Sequence, residues 1–332
     1  MSDAKNVSNS QRARSSANVD VWPNTLIAWR NTGTRLMLLG MLVGGSGPAM
    51  ATIFDYPFRL TARAAGAGHQ AVAENNGPVS ISVNVVATGK HFASEQNWPI
   101  TMVVPPFTVV PLGGVRPDAG RYDFNFAFSY HFGRIDAEAQ PNSTYRLPFA
   151  DGLGFKVTQA DDGELTTHNS RAMQYAIDFA MPIGTAVLAA RDGIVADVTL
   201  RYRDGANDAS LTLKANAISI VHDDGTVAEY VHLSPGPATV AVGERVAAGA
   251  LLGYSGNTGY TSGPHLHFSV SRPGLIEGKV TMVSVPLWFG TSDPAVRFVA
   301  RAGTTVWANH GKTITVDARP PGKINAGPES VL

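Results

Sequence analysis

The chain has no cysteine, which excludes disulfides and thiolate metal sites; any metal must be held by histidine or carboxylate. Basic and acidic residues balance at 26 each, so the net charge is zero and no basic footprint points to nucleic acid. Long hydrophobic runs are also missing: the apolar run 36–43 is too short to span a bilayer. No stretch of the second half carries a convincing amphipathic helical pattern. The 332 residues do hold 34 glycines and 21 prolines, spread along the chain. With 44% hydrophobic and 16% charged residues, this describes an ordinary globular protein of short strands and turns. Its length suits two modest domains, each with its own core.

The first 51 residues have the order of a secretory leader. Arg30 and Arg35 precede the apolar run 36–43, and small residues follow, ending in Ala49-Met50-Ala51. Export to the periplasm or cell envelope, with no stable transmembrane segment left after cleavage, is the expectation. Residues 52–140 read as an accessory β-sandwich of immunoglobulin type, with strand candidates at 78–86, 101–106 and 121–128. His69, His91 and His131 sit there in unrelated contexts and read as surface or packing residues. A polar stretch, 136–143, reads as the linker. From 141 to 290 short strands follow at 175–181, 184–190, 194–200, 217–222, 227–233 and 266–271, with Asp223-Asp224-Gly225 as a hairpin signal. The extension 291–332 holds strand candidates at 296–300 and 312–316. The expected fold class is therefore mostly β: a sandwich followed by an antiparallel sheet domain.

The chemistry concentrates in that second domain. In Ser262-Gly263-Pro264-His265-Leu266-His267-Phe268, strand alternation points His265 and His267 to one face, with Leu266 and Phe268 toward the core. Paired imidazoles on a stiff backbone suit a divalent metal or acid–base work, and equally a hydrogen-bonded pair on a sheet. Asp178 lies between Ile177 and Phe179 on the opposite face from both, so it needs either an ion-pair partner or a metal. His168 stands in a polar loop just upstream. His232, in Glu229-Tyr230-Val231-His232-Leu233, follows a hairpin and shares a strand face with Tyr230.

Residues 145–290 resemble the zinc metallopeptidases of the lysostaphin/LytM type, peptidase family M23. The resemblance is carried by three stretches in order: 175–190 with Asp192-Gly193-Ile194-Val195, then Tyr230-Val231-His232-Leu233, then 253–268. It implies an antiparallel β metallopeptidase domain with zinc held by His168, Asp178 and His267. It also implies His265 as general base, His232 as second catalytic histidine, and peptidoglycan peptide stems as substrate. Two histidines, one carboxylate and a water make an open catalytic zinc site. The glycine-rich loop 255–263 would let extended substrate backbone approach closely.

One spacing departs from the family pattern. The family has H-x-x-x-D, whereas His168 lies ten residues before Asp178, and no other histidine is a ready substitute. The alternative reading is a catalytically silent LytM-like module that activates another wall hydrolase. Such modules typically lose metal ligands, whereas all five positions are filled here. A metallo-endopeptidase acting on proteins is a third reading.

Overall fold

The computed structural model describes residues 35–41, 56–118, 122–138, 143–161, 163 and 166–311, the first of these by backbone alone. The leader expected over 1–51 therefore lies outside the described residues, apart from the Arg35–Met41 backbone, which pairs antiparallel with Asp123–Phe132. The strand candidate at 312–316 also lies outside them. No described helix is long and apolar enough to cross a membrane. The helical element among the described residues is the six-residue 3-10 turn Ala209–Lys214, capped by the Asp208 side chain.

Within residues 35–132, two four-stranded sheets enclose one core. One runs in the order Arg35–Met41, Asp123–Phe132, Ile81–Lys90, Ile100–Val104; the other runs Phe58–Ala65, Gly68–Asn75, Thr108–Pro117, Phe92–Ala93. The strand Asp123–Phe132 shows why. Its sequence alternates polar residues with Phe124, Phe126, Phe128 and Tyr130, and those aromatics are the buried positions.

Residues 154–307 build a nine-stranded sheet. Its path runs Arg245–Val246, Gly193–Thr199, Ala217–Val221, Val227–Val231, Leu266–Ile276, Ile177–Phe179, Gly154–Gln159 and Thr305–Trp307, with Lys279–Ser284 paired to Leu266–Ile276. The hairpin expected at Asp223-Asp224-Gly225 joins two of these strands, with Gly225 at φ 82°. One sheet face is apolar. Ile177, Phe179, Ile218, Ile220, Tyr230, Leu266 and Phe268 are all at most 3% exposed there and form the domain's core. Thr305–Trp307 adds to the far edge by pairing with Gly154–Gln159, so the extension after residue 290 is part of this sheet.

The two units pack against each other. Ala172, Ala196, Val221, Val227 and Met282 of the second are buried in the sandwich core. His131, fully buried on the last sandwich strand, hydrogen-bonds through Nε2 to the Val280 carbonyl at 3.1 Å. Arg134 N–H donates to the Gly225 carbonyl at 3.1 Å.

Candidate metal centre and its cleft

The second face of the large sheet floors a cleft of about 430 Å³. Antiparallel register decides what meets there. Asp178 pairs with His267, and His267 pairs with Val231, so carboxylate and imidazole emerge side by side on adjacent strands. Asp178 Oδ1 lies 2.9 Å from His267 Nδ1 and 3.4 Å from His168 Nε2. Donor atoms of these three buried residues all lie within 4.8 Å of one another.

The long connection between His168 and Asp178 has a physical account. Residues 170–176 wind through tight turns, with Met173 N–H donating to the Ser170 carbonyl and Ala176 N–H to the Met173 carbonyl. Ala172 is buried against the sandwich and Met173 packs beside it. The extra residues thus leave the sheet, dock on the first pair of sheets, and return. His168 closes the excursion by donating from Nδ1 to the Ala176 carbonyl at 3.1 Å. A carbonyl only accepts, so Nδ1 carries the proton and the bare Nε2 faces Asp178.

His265 and His232 complete the cleft. His265 donates from Nδ1 to the Gly263 carbonyl at 2.8 Å, and its Nε2 lies 3.8 Å from Asp178 Oδ2. His232 donates from Nδ1 to the Thr258 carbonyl at 2.7 Å. The two rings are 4.4 Å apart between centroids. The expectation that His232 shares a face with Tyr230 is corrected. Tyr230 points into the core, where its hydroxyl accepts from Ala190 N–H at 2.7 Å. The strand ends at Val231, and His232 takes φ 66°, which breaks the alternation and turns its imidazole into the cleft.

Two glycines of the glycine-rich loop make close internal approaches, while a Cβ on Gly263 would meet nothing within 4 Å. A Cβ on Gly256 would lie 2.5 Å from Ser234 N and 2.8 Å from the His232 carbonyl oxygen. Gly259, at φ +85°, is pressed against Ala215. Glycine at both positions lets the loop lie flat on the His232 turn and bring the Thr258 carbonyl to His232.

Burial alone would raise the Asp178 pKa, but the His168 and His267 rings set against its carboxylate, and charge on His267 and His265, hold it well below the usual carboxylate range. Burial and the neighbouring imidazoles of His265 and His267 push His232 down to about 3, so this ring is neutral at ordinary pH. The donor chemistry fits a metal ion: two imidazoles and an ionised carboxylate converge in a buried spot that opens to a cleft. Sequence reasoning missed Gln159. Its amide donates to Asp178 Oδ2 at 2.7 Å, and its carbonyl accepts from Thr167 N–H at 2.6 Å, tying the His168 loop to the carboxylate. A polar residue at a strand end carries no sequence signal for that task. Phe132 and Met173, which wall one end of the cleft, were equally illegible.

A buried two-histidine, one-carboxylate set with two more imidazoles in the same cleft is the make-up of a metallohydrolase centre. Residues 172–280 match peptidase family M23. The match spans Asp178, His232, His265 and His267 and begins after His168. Glycyl-glycine endopeptidase ALE-1 of Staphylococcus capitis is 40% identical over 95 residues, covering 28% of this chain and 23% of that protein. Peptidoglycan DD-endopeptidase ShyA of Vibrio cholerae is 40% identical over 93 residues, covering 28% of this chain and 19% of that protein. The catalytic domain of the antimicrobial peptidase lysostaphin from Staphylococcus simulans is a structural neighbour at 31% identity. That likeness covers 37% of this chain and 79% of the neighbour, with a TM-score of 0.25. The chain thus spans about a fifth of the length of these curated relatives.

Proposed function

We propose that the protein is an exported zinc metalloendopeptidase that hydrolyses peptide cross-links of peptidoglycan. The observation that carries this reading is the convergence of donor atoms of His168, Asp178 and His267 within 4.8 Å of one another, in one cleft with His232 and His265. In this reading, residues 52–140 form an immunoglobulin-type accessory unit, 141–290 the peptidase domain and 291–332 an extension. The leader pattern over 1–51 supports export to the periplasm or envelope. The peptidoglycan-cleaving relatives support the substrate class.

His168, Asp178 and His267 would hold the zinc. When bound, a zinc ion supplies Lewis-acid polarisation of the scissile carbonyl and a water acidic enough to attack near neutral pH. The remaining steps belong to the chain. His265 keeps its Nδ1 proton engaged at the Gly263 carbonyl, so its bare Nε2 accepts a proton from the attacking water. Once protonated, that Nε2 becomes a donor and delivers the proton to the leaving amine. His232 is held in the same tautomer by the Thr258 carbonyl, and its Nε2 orients the water or the reacting amide from the other side. Gln159 keeps the Asp178 carboxylate turned toward the histidines.

The test is zinc content and muropeptide release measured together, on protein starting near Thr52, for the parent and His168→Ala. Stoichiometric zinc with wall hydrolysis, both lost in the variant, is the expected result. Zinc and hydrolysis that persist in the variant would remove His168 from the site. Their absence in the parent would reject the enzyme.

A further inference from the structure

His267 owes its place to strand pairing, but His232 does not. Its strand ends at Val231, and a histidine at φ 66° stands in a sparsely populated backbone region that the surroundings must impose. Two buried polar residues, Asn216 and Thr258, supply that restraint. They act on Leu233, the residue after the histidine. Its N–H donates to the Asn216 carbonyl at 3.2 Å. Its own carbonyl accepts from Asn216 Nδ2 at 3.1 Å and from Thr258 Oγ1 at 2.9 Å. Thr258 Oγ1 in turn accepts from Asn216 N–H at 3.0 Å.

Thr258 therefore holds His232 at two points. Its hydroxyl grips the backbone just past the histidine, and its carbonyl accepts from the ring's Nδ1 at 2.7 Å. Asn216 extends the lock outward. Its Oδ1 accepts from Tyr202 N–H at 2.8 Å, while Nδ2 donates to the Tyr202 carbonyl at 2.8 Å. That fixes the amide's orientation, since reversing it would set its oxygen against two carbonyls. From Tyr202 the chain runs through Gly205 and Ala206, paired with Gly259 and Tyr260, to Asn207 on the cleft wall. Every side-chain polar atom of Asn216 and Thr258 has a partner. A buried network this complete rigidifies what it holds. None of its bonds reaches His168, Asp178 or His267.

We propose that Asn216 and Thr258 are positioning residues for His232. They hold its turn and its Nδ1–H form, which leaves Nε2 bare for the cleft, and they tie both to the wall segment that begins at Tyr202. This rests on the peptidase reading above, in which His232 orients the water or the reacting amide. Loosening the lock slows the reaction and spares the zinc.

The experiment compares the full, zinc-loaded parent with Thr258→Val, Thr258→Ser and Asn216→Ala, using purified wall as substrate. Muropeptide release is followed against wall concentration, and zinc is measured on the same samples. Isotope-labelled histidine NMR reads which nitrogen of His232 carries the proton. Thr258→Val keeps the side chain's shape and loses the hydroxyl. Its maximal rate falls roughly a hundredfold, with zinc content and half-saturating wall concentration unchanged, and His232 no longer holds a single Nδ1–H form. Thr258→Ser recovers most of the rate. Asn216→Ala falls roughly tenfold or more, and it carries the test if Thr258→Val does not fold. Unchanged rates, a rate lost only together with zinc, or no recovery in Thr258→Ser would each overturn the lock. So would a parent whose His232 carries its proton on Nε2, a result that needs no variant. The parent also separates this inference from the peptidase reading. Wall hydrolysis with His232 in the Nε2–H form sinks the lock and leaves the peptidase, whereas the Nδ1–H form without hydrolysis does the reverse.

Discussion

The central strands of the large sheet present two faces built from one backbone, and the faces obey different rules. Toward the core, Ile177, Phe179, Leu266, Phe268, Ile218 and Ile220 are close-packed and at most 3% exposed. Toward the cleft, the intervening residues include Asp178, His267, Ser269, Glu229 and Ser219. Several of these are buried as deeply as the core residues, yet they are polar. Burying polar groups costs stability unless each finds a partner. The cleft face meets that cost through a few specific bonds at the metal centre. The core face needs only volume and apolarity. Substitutions on the two faces should therefore fail in different ways.

The largest effect belongs to the cleft. Asp178→Asn removes the ionised ligand that links His168 and His267. Zinc is lost and hydrolysis falls by several kcal/mol of transition-state stabilisation, roughly a thousandfold or more. Metal analysis and wall digestion check this; full activity with bound zinc would break the comparison. On the core face, Phe268→Ala, at a fully buried position, costs about 3–5 kcal/mol of stability. Zinc binding should survive at a temperature where the variant is still folded. Urea midpoints, followed by zinc titration of the folded fraction, separate the two effects.

A third prediction lies at the hairpin end, away from both. His222 is buried, donates from Nδ1 to the Asp192 carbonyl at 2.7 Å, and burial pushes its pKa down to about 4. The unfolded chain, titrating near 6.5, binds the proton more readily than the folded one. The stability held by neutral His222 is therefore fully present above about pH 6.5 and is lost as pH falls to about 4, by up to about 3 kcal/mol. The difference between parent and His222→Asn in denaturation midpoints should shrink across that window. Parallel curves would show that His222 is not the group.

Smaller still is Gln159→Leu, which frees Asp178 Oδ2 and the Thr167 amide. Zinc affinity drops about 10–100-fold with little change in thermal stability, which competition with a chelator would read. At the bottom stands the exposed Arg134–Asp136 pair, whose loss through Arg134→Ala should cost about 1 kcal/mol or less and leave zinc affinity untouched.

Much of the site was legible because strand alternation is strict. His265 and His267 on one face, and Asp178 opposite Ile177 and Phe179, follow from a period of two. His232 was assigned to the wrong face for the same reason. Its positive φ interrupts the period, and nothing in Tyr230-Val231-His232-Leu233 announces that. The His168 spacing looked anomalous in sequence because its purpose is tertiary: the extra residues carry Ala172 and Met173 to the sandwich.

By itself, the sequence determined the chemistry available. With no cysteine, only histidine and carboxylate can hold a metal, and the alternation of apolar and polar residues assigned each strand a core face and an open face. Only the tertiary structure decided which open faces meet. Local pattern carries no information about which strands pair or in what register. It is that pairing, across wide separations in the chain, that sets Asp178 against His267, returns His168 to them, and ends the cleft at Phe132.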